Sequence, residues 1–190
     1  MRNLLKSCCL FFILFFFIIG FLYPLLIFGF AQVFFPFQAN GSAVYKQGNI
    51  IGSRLIGQNF TSPQYFHGRV SSKGTSGGSN FGPTSKVWLE EVSKRIYNLK
   101  ETEHIYDNEL VVPSDLVTHS ASGYDPDISM ESALLQVPRI AKNRDINEDD
   151  VIMILNQVKE TNSIFFFGEE IVNVLELNIQ LDDYQNKEKK

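Results

Sequence analysis

The chain divides into one long apolar segment and a mixed remainder. No charged residue occurs from residue 7 to residue 45, and residues 8–35 are almost entirely apolar. A membrane-spanning helix needs about 20 apolar residues, whereas the apolar core of a signal peptide has about 7–15. The pattern therefore predicts a retained transmembrane helix at residues 8–35. Pro24 lies inside it, where a lipid-embedded helix tolerates proline.

Beyond this segment, apolar residues recur with helical spacing in three places. Each set follows a residue that can cap a helix, and Pro138 must bend or end the second helix. The first predicted helix is capped by Thr84 or Ser85 and carries Trp88, Val92, Ile96 and Leu99. The second is capped by Ser129 and carries Ala133, Leu134, Val137 and Ile140. The third is capped by Asn147 and carries Ile152, Leu155 and Val158.

Three further segments favour strands. Residues 50–56 predict the first, and residues 110–112 predict a short buried strand that ends at Pro113. Leucine and isoleucine alternate with polar residues from 175 to 181, which predicts a strand with one buried face. Between the elements, residues 37–48 are expected to be a polar connector, residues 64–83 a long loop and residues 182–190 a frayed tail. The expected fold class is a mixed α/β (α+β) soluble domain, residues 36–190, anchored by one N-terminal transmembrane helix.

The charges around the span predict its orientation. The formal net charge is −4, and because Arg2 and Lys6 precede the span, the remainder carries −4 − 2 = −6. The positive-inside rule then places residues 1–7 in the cytoplasm and residues 36–190 outside it. A domain of negative charge does not gather phosphate backbones, so nucleic acid is not an expected partner. The span itself has no ionisable residue for a proton or ion pathway, so partners have to provide any pore.

Both cysteines, Cys8 and Cys9, begin the apolar run. They are interpreted as small apolar side chains in lipid, and the soluble domain is expected to fold without disulfides.

The glycine-rich stretch SGGSNFGP, residues 76–83, has the look of a phosphate-binding loop. Gly77 and Gly82 have the glycine spacing of a P-loop, but Pro83 stands where that motif needs lysine. Proline offers neither an N–H group nor a charge to a phosphate. The G-x-G spacing of a dinucleotide-binding loop is also absent. We therefore interpret the stretch as tight turns in which Asn80 and the serines bond to local backbone.

A second polar loop, residues 118–127, holds the residue types of a catalytic triad: His119, Ser120, Ser122 and Asp125. Triad members converge in space from different parts of a fold, and the chain has no G-x-S-x-G elbow. No catalytic residue is assigned. A stand-alone membrane-anchored hydrolase using Ser120 or Ser122 remains the alternative function.

Oxygen-bearing residues also alternate as in a calcium loop, at Asp125, Asp127, Ser129 and Glu131. That loop needs glycine at its sixth position and glutamate at its twelfth, where this chain has Met130 and Gln136. No metal site is predicted. Asp127 and Ser129 are expected to cap the following helix, and His67 and His104 are taken as surface or satisfied polar residues.

Several stretches together resemble the C subunit of the Kdp potassium-transporting P-type ATPase. They are GSRLIGQNFTSPQYFHGRVS (52–71), SGGSNFGP (76–83), VPSDLVTHSASGYDPDIS (112–129), LLQVPRIAKNR (134–144) and VNVLELN (172–178). They occur in the family's order behind a single N-terminal membrane helix. Three positions depart from the family pattern. The family usually has proline at the position of Val70, a small residue at the position of His119 and histidine at the position of Asp127.

The resemblance implies an accessory subunit of an ATP-driven potassium importer in the bacterial inner membrane. Its implied partners are a P-type subunit that hydrolyses ATP, a channel-like subunit that carries the ion, a small membrane subunit and the lipid bilayer. The resemblance also implies a catalytic chaperone that raises the ATP affinity of the pump subunit, with ATP shared and no cofactor bound firmly.

Two groups of candidate site residues follow from the resemblance. On the chaperone hypothesis, residues 120–136 resemble a nucleotide-binding signature, and this nucleotide-linked or interface group is Ser120, Ser122, Gly123, Asp125 and Gln136. The partner-interface or structural loop group is Gln58, Arg69, Gly77, Gly78, Ser79, Asn80, Gly82 and Pro83.

Overall fold

The computed structural model describes residues 2–71, 77–107, 110–161 and 168–188. The chain forms two compact units, residues 1–53 and residues 54–190. The helices are α1 (Arg2–Phe17), α2 (Tyr23–Phe34), α3 (Pro36–Ala39), α4 (Lys86–Thr102), α5 (Met130–Arg144), α6 (Glu148–Val158) and α7 (Val174–Glu188). The strands are β1 (Ala43–Lys46), β2 (Asn49–Ser53), β3 (Asp127–Ser129), β4 (Glu160–Thr161) and β5 (Glu170–Asn173), and a 3-10 turn covers Ser114–Leu116.

The first unit begins with the predicted apolar helix, which is continuous over Asn3–Phe34 and is long and apolar enough to cross a membrane. One turn of π-helix, Ile18–Leu22, joins α1 to α2. The N–H of Tyr23 donates to the carbonyl of Ile18, five residues earlier. The next residue, Pro24, has no N–H, and its ring clashes with the carbonyl four residues before it in an ordinary α-helix. The wider turn accommodates the proline without ending the helix.

A β-hairpin follows the span within the same unit. Strands β1 and β2 pair antiparallel, with a bulge between Val44 and Tyr45. Gln47 (φ +53°) and Gly48 (φ +81°) form the turn, with the positive φ angles that suit the twist of a two-residue hairpin. The strand predicted at residues 50–56 corresponds to β2, which begins at Asn49 and is shorter than predicted. Its partner β1 lies in the segment that was predicted to be a connector. This strand was not predicted because four residues of mixed polarity carry too little pattern to indicate a strand.

The second unit packs three helices on one small antiparallel sheet with strand order β3-β5-β4. The core side chains come from these elements, α5–α7 and the neighbouring loops: Phe66, Leu116, Val117, Ile128, Ala133, Val137, Ile140, Ala141, Val151, Ile154, Leu155, Val172, Val174, Leu177 and Leu181. Helix α4 packs against this core through the predicted residues Val92, Ile96 and Leu99.

Helix starts were predicted better than strands. The hydroxyl of Ser85 accepts from Trp88 N at 3.4 Å, and that of Ser129 accepts from Ser132 N at 3.1 Å, so both caps are confirmed. Helix α6 starts after Asn147, as predicted, although the Asn147 side chain makes no capping bond. Helix α5 continues through Pro138 to Arg144.

Two strand predictions are wrong. Residues 110–112 form no strand, and Val111 is 85% exposed. Residues 175–181 belong to α7, which continues through the predicted frayed tail to Glu188. Asn178 is buried beside Leu177 and Leu181, so the polar residue of the apparent alternation lies on the buried face. The buried positions therefore follow helical spacing, and the side chain of Asn173 accepts from Glu176 N at 3.2 Å in the first turn.

A side-chain clamp, formed by Gln136, Arg139, Arg144 and Asn178, holds segment 63–67, which begins in a turn. Asn178 accepts from Phe66 N (2.8 Å) and donates to Phe66 O (3.1 Å). Gln136 does the same for His67, at 2.8 Å and 3.1 Å. The segment thus obtains strand-like hydrogen bonds from amide side chains of α5 and α7 instead of from a neighbouring strand.

Two arginines complete the clamp. Arg139 donates to the carbonyls of Pro63 and Tyr65 and forms a buried ion pair with Glu103, in which the Arg139 Nε–Glu103 Oε1 distance is 2.9 Å. Burial raises the pKa of Glu103, and the positive charge of Arg139 opposes that rise. Arg144 donates to Gln64 O at 2.7 Å. Carbonyls of all five residues of the segment are therefore satisfied by side chains of α5 and α7.

Asp127 joins β3 to the end of β5. It lies opposite Asn173 in the strand register, and Asn173 Nδ2 donates to Asp127 Oδ1 at 2.8 Å. Partial burial raises the pKa of Asp127, the bond from Asn173 lowers it, and the nearby Asp125 raises it further. In the folded chain this carboxyl keeps its proton to a higher pH than in the unfolded chain.

Arg139→Met is expected to lower the free energy of unfolding by about 3–5 kcal/mol, because it leaves the buried carboxylate of Glu103 unpaired. The measurement is urea unfolding of the full chain in detergent, followed by the fluorescence of Trp88, the single tryptophan. Lys142→Met, on an exposed position of the same helix, is the control and should change stability by less than about 0.5 kcal/mol. Equal effects of the two substitutions would contradict the role of the clamp.

The raised pKa of Asp127 predicts a pH dependence of stability. Between the unfolded and folded pKa values the folded state binds more protons, so the free energy of unfolding falls as pH rises through that interval. Asp127→Asn should abolish this contribution. The same urea assay is repeated at a series of pH values. As pH rises above the ordinary pKa of aspartate, the free energy of unfolding of the variant should increase relative to that of the parent chain. Above the raised pKa of Asp127 this difference should become constant. Parallel pH profiles would show that Asp127 does not titrate as described.

Candidate functional site

The two glycine- and serine-rich loops lie against each other. Gly77 N donates to Ser122 O at 2.8 Å, and Gly77 adopts φ +136°, which favours glycine. A Cβ added at Gly78 would lie 3.5 Å from Ser120 O, an ordinary contact distance. The structure therefore brings two of the predicted groups together. Ser76 lies outside the described residues.

The rest of the glycine-rich loop leads into α4. Asn80 adopts φ +55°, and Ser85 N donates to Gly82 O at 3.0 Å, so the loop closes in a turn before the helix. Ser79 is half-buried, while Asn80, Gly82 and Pro83 are exposed. This geometry fits the interpretation as tight turns.

Gly57 makes a third close approach, which was not predicted from the sequence. Its N–H donates to Tyr124 O at 2.7 Å. A Cβ at Gly57 would stand 2.4 Å from the Asp125 carbonyl oxygen, so no other residue fits without moving the backbone. The signal was available, since an isolated glycine beside a strand pattern often marks a close backbone approach.

Arg69 ties the same loop to the clamped segment. Its Nη1 donates to Asp125 Oδ2 at 2.8 Å, and the side chains are 22% and 32% exposed. Its Nε is buried and has no hydrogen-bond partner in the described part of the chain. Gln58, Arg69, Gly123 and Asp125 line one small cavity. We call this cluster, with residues 77–78 and 120–125, the Arg69 junction.

The serine hydroxyls at the junction bond to local backbone. Ser120 is 5% exposed, and its hydroxyl accepts from Gly123 N at 2.9 Å. The hydroxyl of Ser122 accepts from Tyr124 N at 3.1 Å. Such bonds stabilise turns.

The triad residue types have separate partners. His119 Nδ1 lies 3.4 Å from Arg95 Nη1, and burial, followed by the charge of Arg95, lowers the pKa of His119. The carboxylate of Asp125 binds Arg69 instead of an imidazole. A nucleophile needs a base that is itself oriented by the acid. The hydrolase alternative therefore gains no support.

Gln136 lies in the clamp with its hydrogen-bonding capacity filled. Its Oε1 accepts from His67 N and Arg139 Nη2, each at 2.8 Å, and its Nε2 donates to His67 O and Ser132 O at 3.1 and 3.2 Å. A glutamine amide has two donors and two acceptor lone pairs, so none remains for a nucleotide in this conformation.

Two open clefts flank Arg69. One of about 650 Å³ is lined by residues 58–61 and 67–71. The other, of about 730 Å³, runs along β3 and carries five carboxylates: Asp115, Asp125, Asp127, Glu131 and Glu169. We call it the acidic cleft. Among the described residues, no three or more His, Cys, Asp or Glu side chains are arranged to hold a metal ion.

The residues of the calcium-like pattern have structural partners. Asp125 binds the Arg69 guanidinium, Asp127 accepts from Asn173, and Ser129 caps α5. The predicted capping role of Ser129 is thus confirmed, whereas Asp127 belongs to β3 and does not cap the helix.

Three clamp residues were not singled out from the sequence. Arg139 and Arg144 lie in the stretch 134–144 and Asn178 in 172–178, both quoted for the family resemblance. The available signal was a polar residue at a position of helical apolar spacing, as for Gln136 between Ala133 and Ile140.

Comparison with known proteins identifies the family. A sequence model of the K+-transporting ATPase c chain, KdpC, matches residues 5–183. The "Potassium-transporting ATPase KdpC subunit" of Polynucleobacter asymbioticus is 43% identical over 96% of this chain and 99% of its own length. The subunit of the same name from Janthinobacterium sp. is 42% identical over 96% of this chain and 99% of its own length. That from Dechloromonas aromatica is 43% identical over 96% of this chain and 98% of its own.

The matches span both the apolar helix and the second unit, including the clamp and the Arg69 junction. The chain therefore belongs to the KdpC family, the c-chain accessory subunits of the potassium-transporting ATPase.

Proposed function

We propose that this accessory subunit acts outside the cytoplasm of a bacterium, anchored in the inner membrane by its single apolar helix. Its soluble domain packs on the channel-like subunit that carries potassium and stabilises the assembly with the ATP-hydrolysing P-type subunit and a small membrane subunit. On this proposal the chain has no catalytic residue of its own. The tight loops of the Arg69 junction present a fixed surface to the channel-like subunit.

The charge distribution around the span carries this proposal. Arg2 and Lys6 precede a stretch from 7 to 45 without any charged residue, and Lys46 is the first cation after it. Positive charge near a membrane helix marks the cytoplasmic side. Cytoplasmic ATP is then out of reach of residues 36–190.

The second candidate role is that of a catalytic chaperone which raises the ATP affinity of the pump subunit. Its support is the resemblance of residues 120–136 to a nucleotide-binding signature. The hydroxyl of Ser120 and the amide of Gln136 are already engaged inside the domain. Nucleotide contact by these two residues therefore requires a different conformation of the loop.

Topology separates the two roles. In a chain with Cys8 and Cys9 replaced by alanine, Asn186→Cys should be labelled by a membrane-impermeant maleimide in intact cells whose outer membrane is permeabilised. Asn186 is exposed near the end of α7. Asn3→Cys, at the first residue of the apolar helix and ahead of its uncharged stretch, is the reciprocal control and should react only after lysis. The reverse labelling pattern would refute the proposed orientation and favour the ATP role.

The acidic cleft suggests a second contribution, a higher local concentration of cations at the potassium entrance. Glu131→Gln with Glu169→Gln should raise the potassium concentration for half-maximal ATPase activity of the whole complex about two- to fourfold at low ionic strength. The effect should shrink in high salt, because salt screens exposed charges.

The matched control for this charge effect is Glu148→Gln with Asp149→Asn, two exposed carboxylates at the start of α6 and outside the cleft. An unchanged potassium affinity in the cleft variant, or the same shift in both double variants, would remove the electrostatic role while leaving the packing role intact.

A further inference from the structure

The hairpin β1–β2 carries an exposed apolar pair on its surface. Tyr45 and Ile50 are cross-strand partners, and they are 63% and 66% exposed. An isolated two-stranded hairpin is marginally stable in water. Cross-strand aromatic–aliphatic pairs stabilise a sheet when their surface is removed from water. A surface that covered this pair would therefore stabilise the hairpin.

The hairpin is fastened to the end of the apolar helix. Ser42 N donates to Phe37 O at 3.0 Å, and the Ser53 hydroxyl donates to Gly41 O at 2.7 Å. The side chain of Asn40 donates to Pro36 O at 2.7 Å across the connecting turn. These bonds hold the hairpin where the helix ends, so it does not move on a free linker.

The length of the apolar helix adds a constraint. Residues 7–34 are uncharged and helical, and at 1.5 Å per residue they extend about 42 Å. The hydrocarbon core of a bilayer is about 30 Å thick, so a helix of this length tilts to bury its apolar surface. Tilting brings the C-terminal end of the helix, with the attached hairpin, closer to the lipid headgroups.

We propose that the hairpin rests on the headgroup–acyl boundary of the bilayer that its own helix spans, with Tyr45 and Ile50 as the contacting residues. Tyrosine suits this boundary because its ring is apolar and its hydroxyl is polar. Lys46 stands beside Tyr45 and is the first positive charge after the span, which fits anionic lipid headgroups. The exposed Phe34, Phe35 and Phe37 continue the membrane-facing surface of the helix up to the hairpin.

This contact is a second membrane attachment for the chain. It fixes the tilt of the span and the position of the chain where it leaves the bilayer. A channel-like subunit that covered the same pair would be a different occupant, and the experiment has to separate the two.

The test places an indole at the pair in the full-length chain. Tyr45→Trp is made in a Trp88→Phe background, so that it supplies the single tryptophan, and the chain is reconstituted in nanodiscs of phosphatidylcholine and phosphatidylglycerol. Lipids brominated near the headgroup end of the acyl chain should quench roughly half of its fluorescence. Aqueous acrylamide should quench it weakly. Ile50→Trp in the same background is the second variant, used if the first does not fold.

The matched control is Tyr97→Trp in the same background, because Tyr97 is also 65% exposed but lies on α4. It should be quenched strongly by acrylamide and little by brominated lipid. The same quenching pattern at the hairpin and at the control would overturn the proposal. So would a hairpin indole open to acrylamide in nanodiscs that becomes shielded from both quenchers only in the assembled complex, since a protein would then be the occupant.

The readout does not depend on the side of the membrane, because both leaflets of the nanodisc have the same composition. A failure of the topology experiment and a failure of this proposal are therefore distinguishable.

Discussion

The interaction on which the second unit depends is the hydrogen bonding of segment 63–67 by side chains. Backbone polar groups that pack against helices need hydrogen-bond partners, and leaving several unpaired costs on the order of several kcal/mol in total. Here amides of Gln136 and Asn178 serve as the neighbouring strand, and two buried guanidinium groups bind the remaining carbonyls. This arrangement fixes His67, and Arg69 follows two residues later with its carboxylate partner Asp125. The junction of loops is therefore positioned by the interior of the domain, which also explains why the arginines of α5 are buried.

Local signals predicted the helices because capping is a short-range interaction. Ser85 and Ser129 bond to backbone N–H groups only three residues away, which the sequence displays directly. The error at residues 175–181 arose because a buried asparagine is indistinguishable from a solvent-facing one until its partner is known. The partner of Asn178 is the backbone of Phe66, 112 residues distant in sequence. Strand β1 was missed for a related reason, since a four-residue edge strand is defined by its pairing more than by its pattern.

The sequence indicated which loop segments form the candidate site better than it indicated the chemistry of their side chains. The glycine-rich loop and the loop around Ser120 were identified separately, and the structure places them in contact. That contact depends on backbone groups, the Gly77 N–H and the Ser122 carbonyl, which residue types alone do not reveal. The residue types of a catalytic triad were present by composition, yet Asp125 and His119 each face an arginine. The chemistry of a side chain depends on the groups that it contacts. Here the arginine partners of His119 and Asp125 lie 24 and 56 residues away in sequence.

The π-turn at residues 18–22 changes how one apolar helix meets its surroundings. A regular α-helix keeps residues three and four apart on a common side along its whole length. One extra residue in a turn rotates everything beyond it by about 100° relative to what precedes it. The flank formed by residues of α1 therefore does not continue onto α2. The two halves of the apolar helix thus face different directions, so each half can contact a separate neighbour without the helix bending around either.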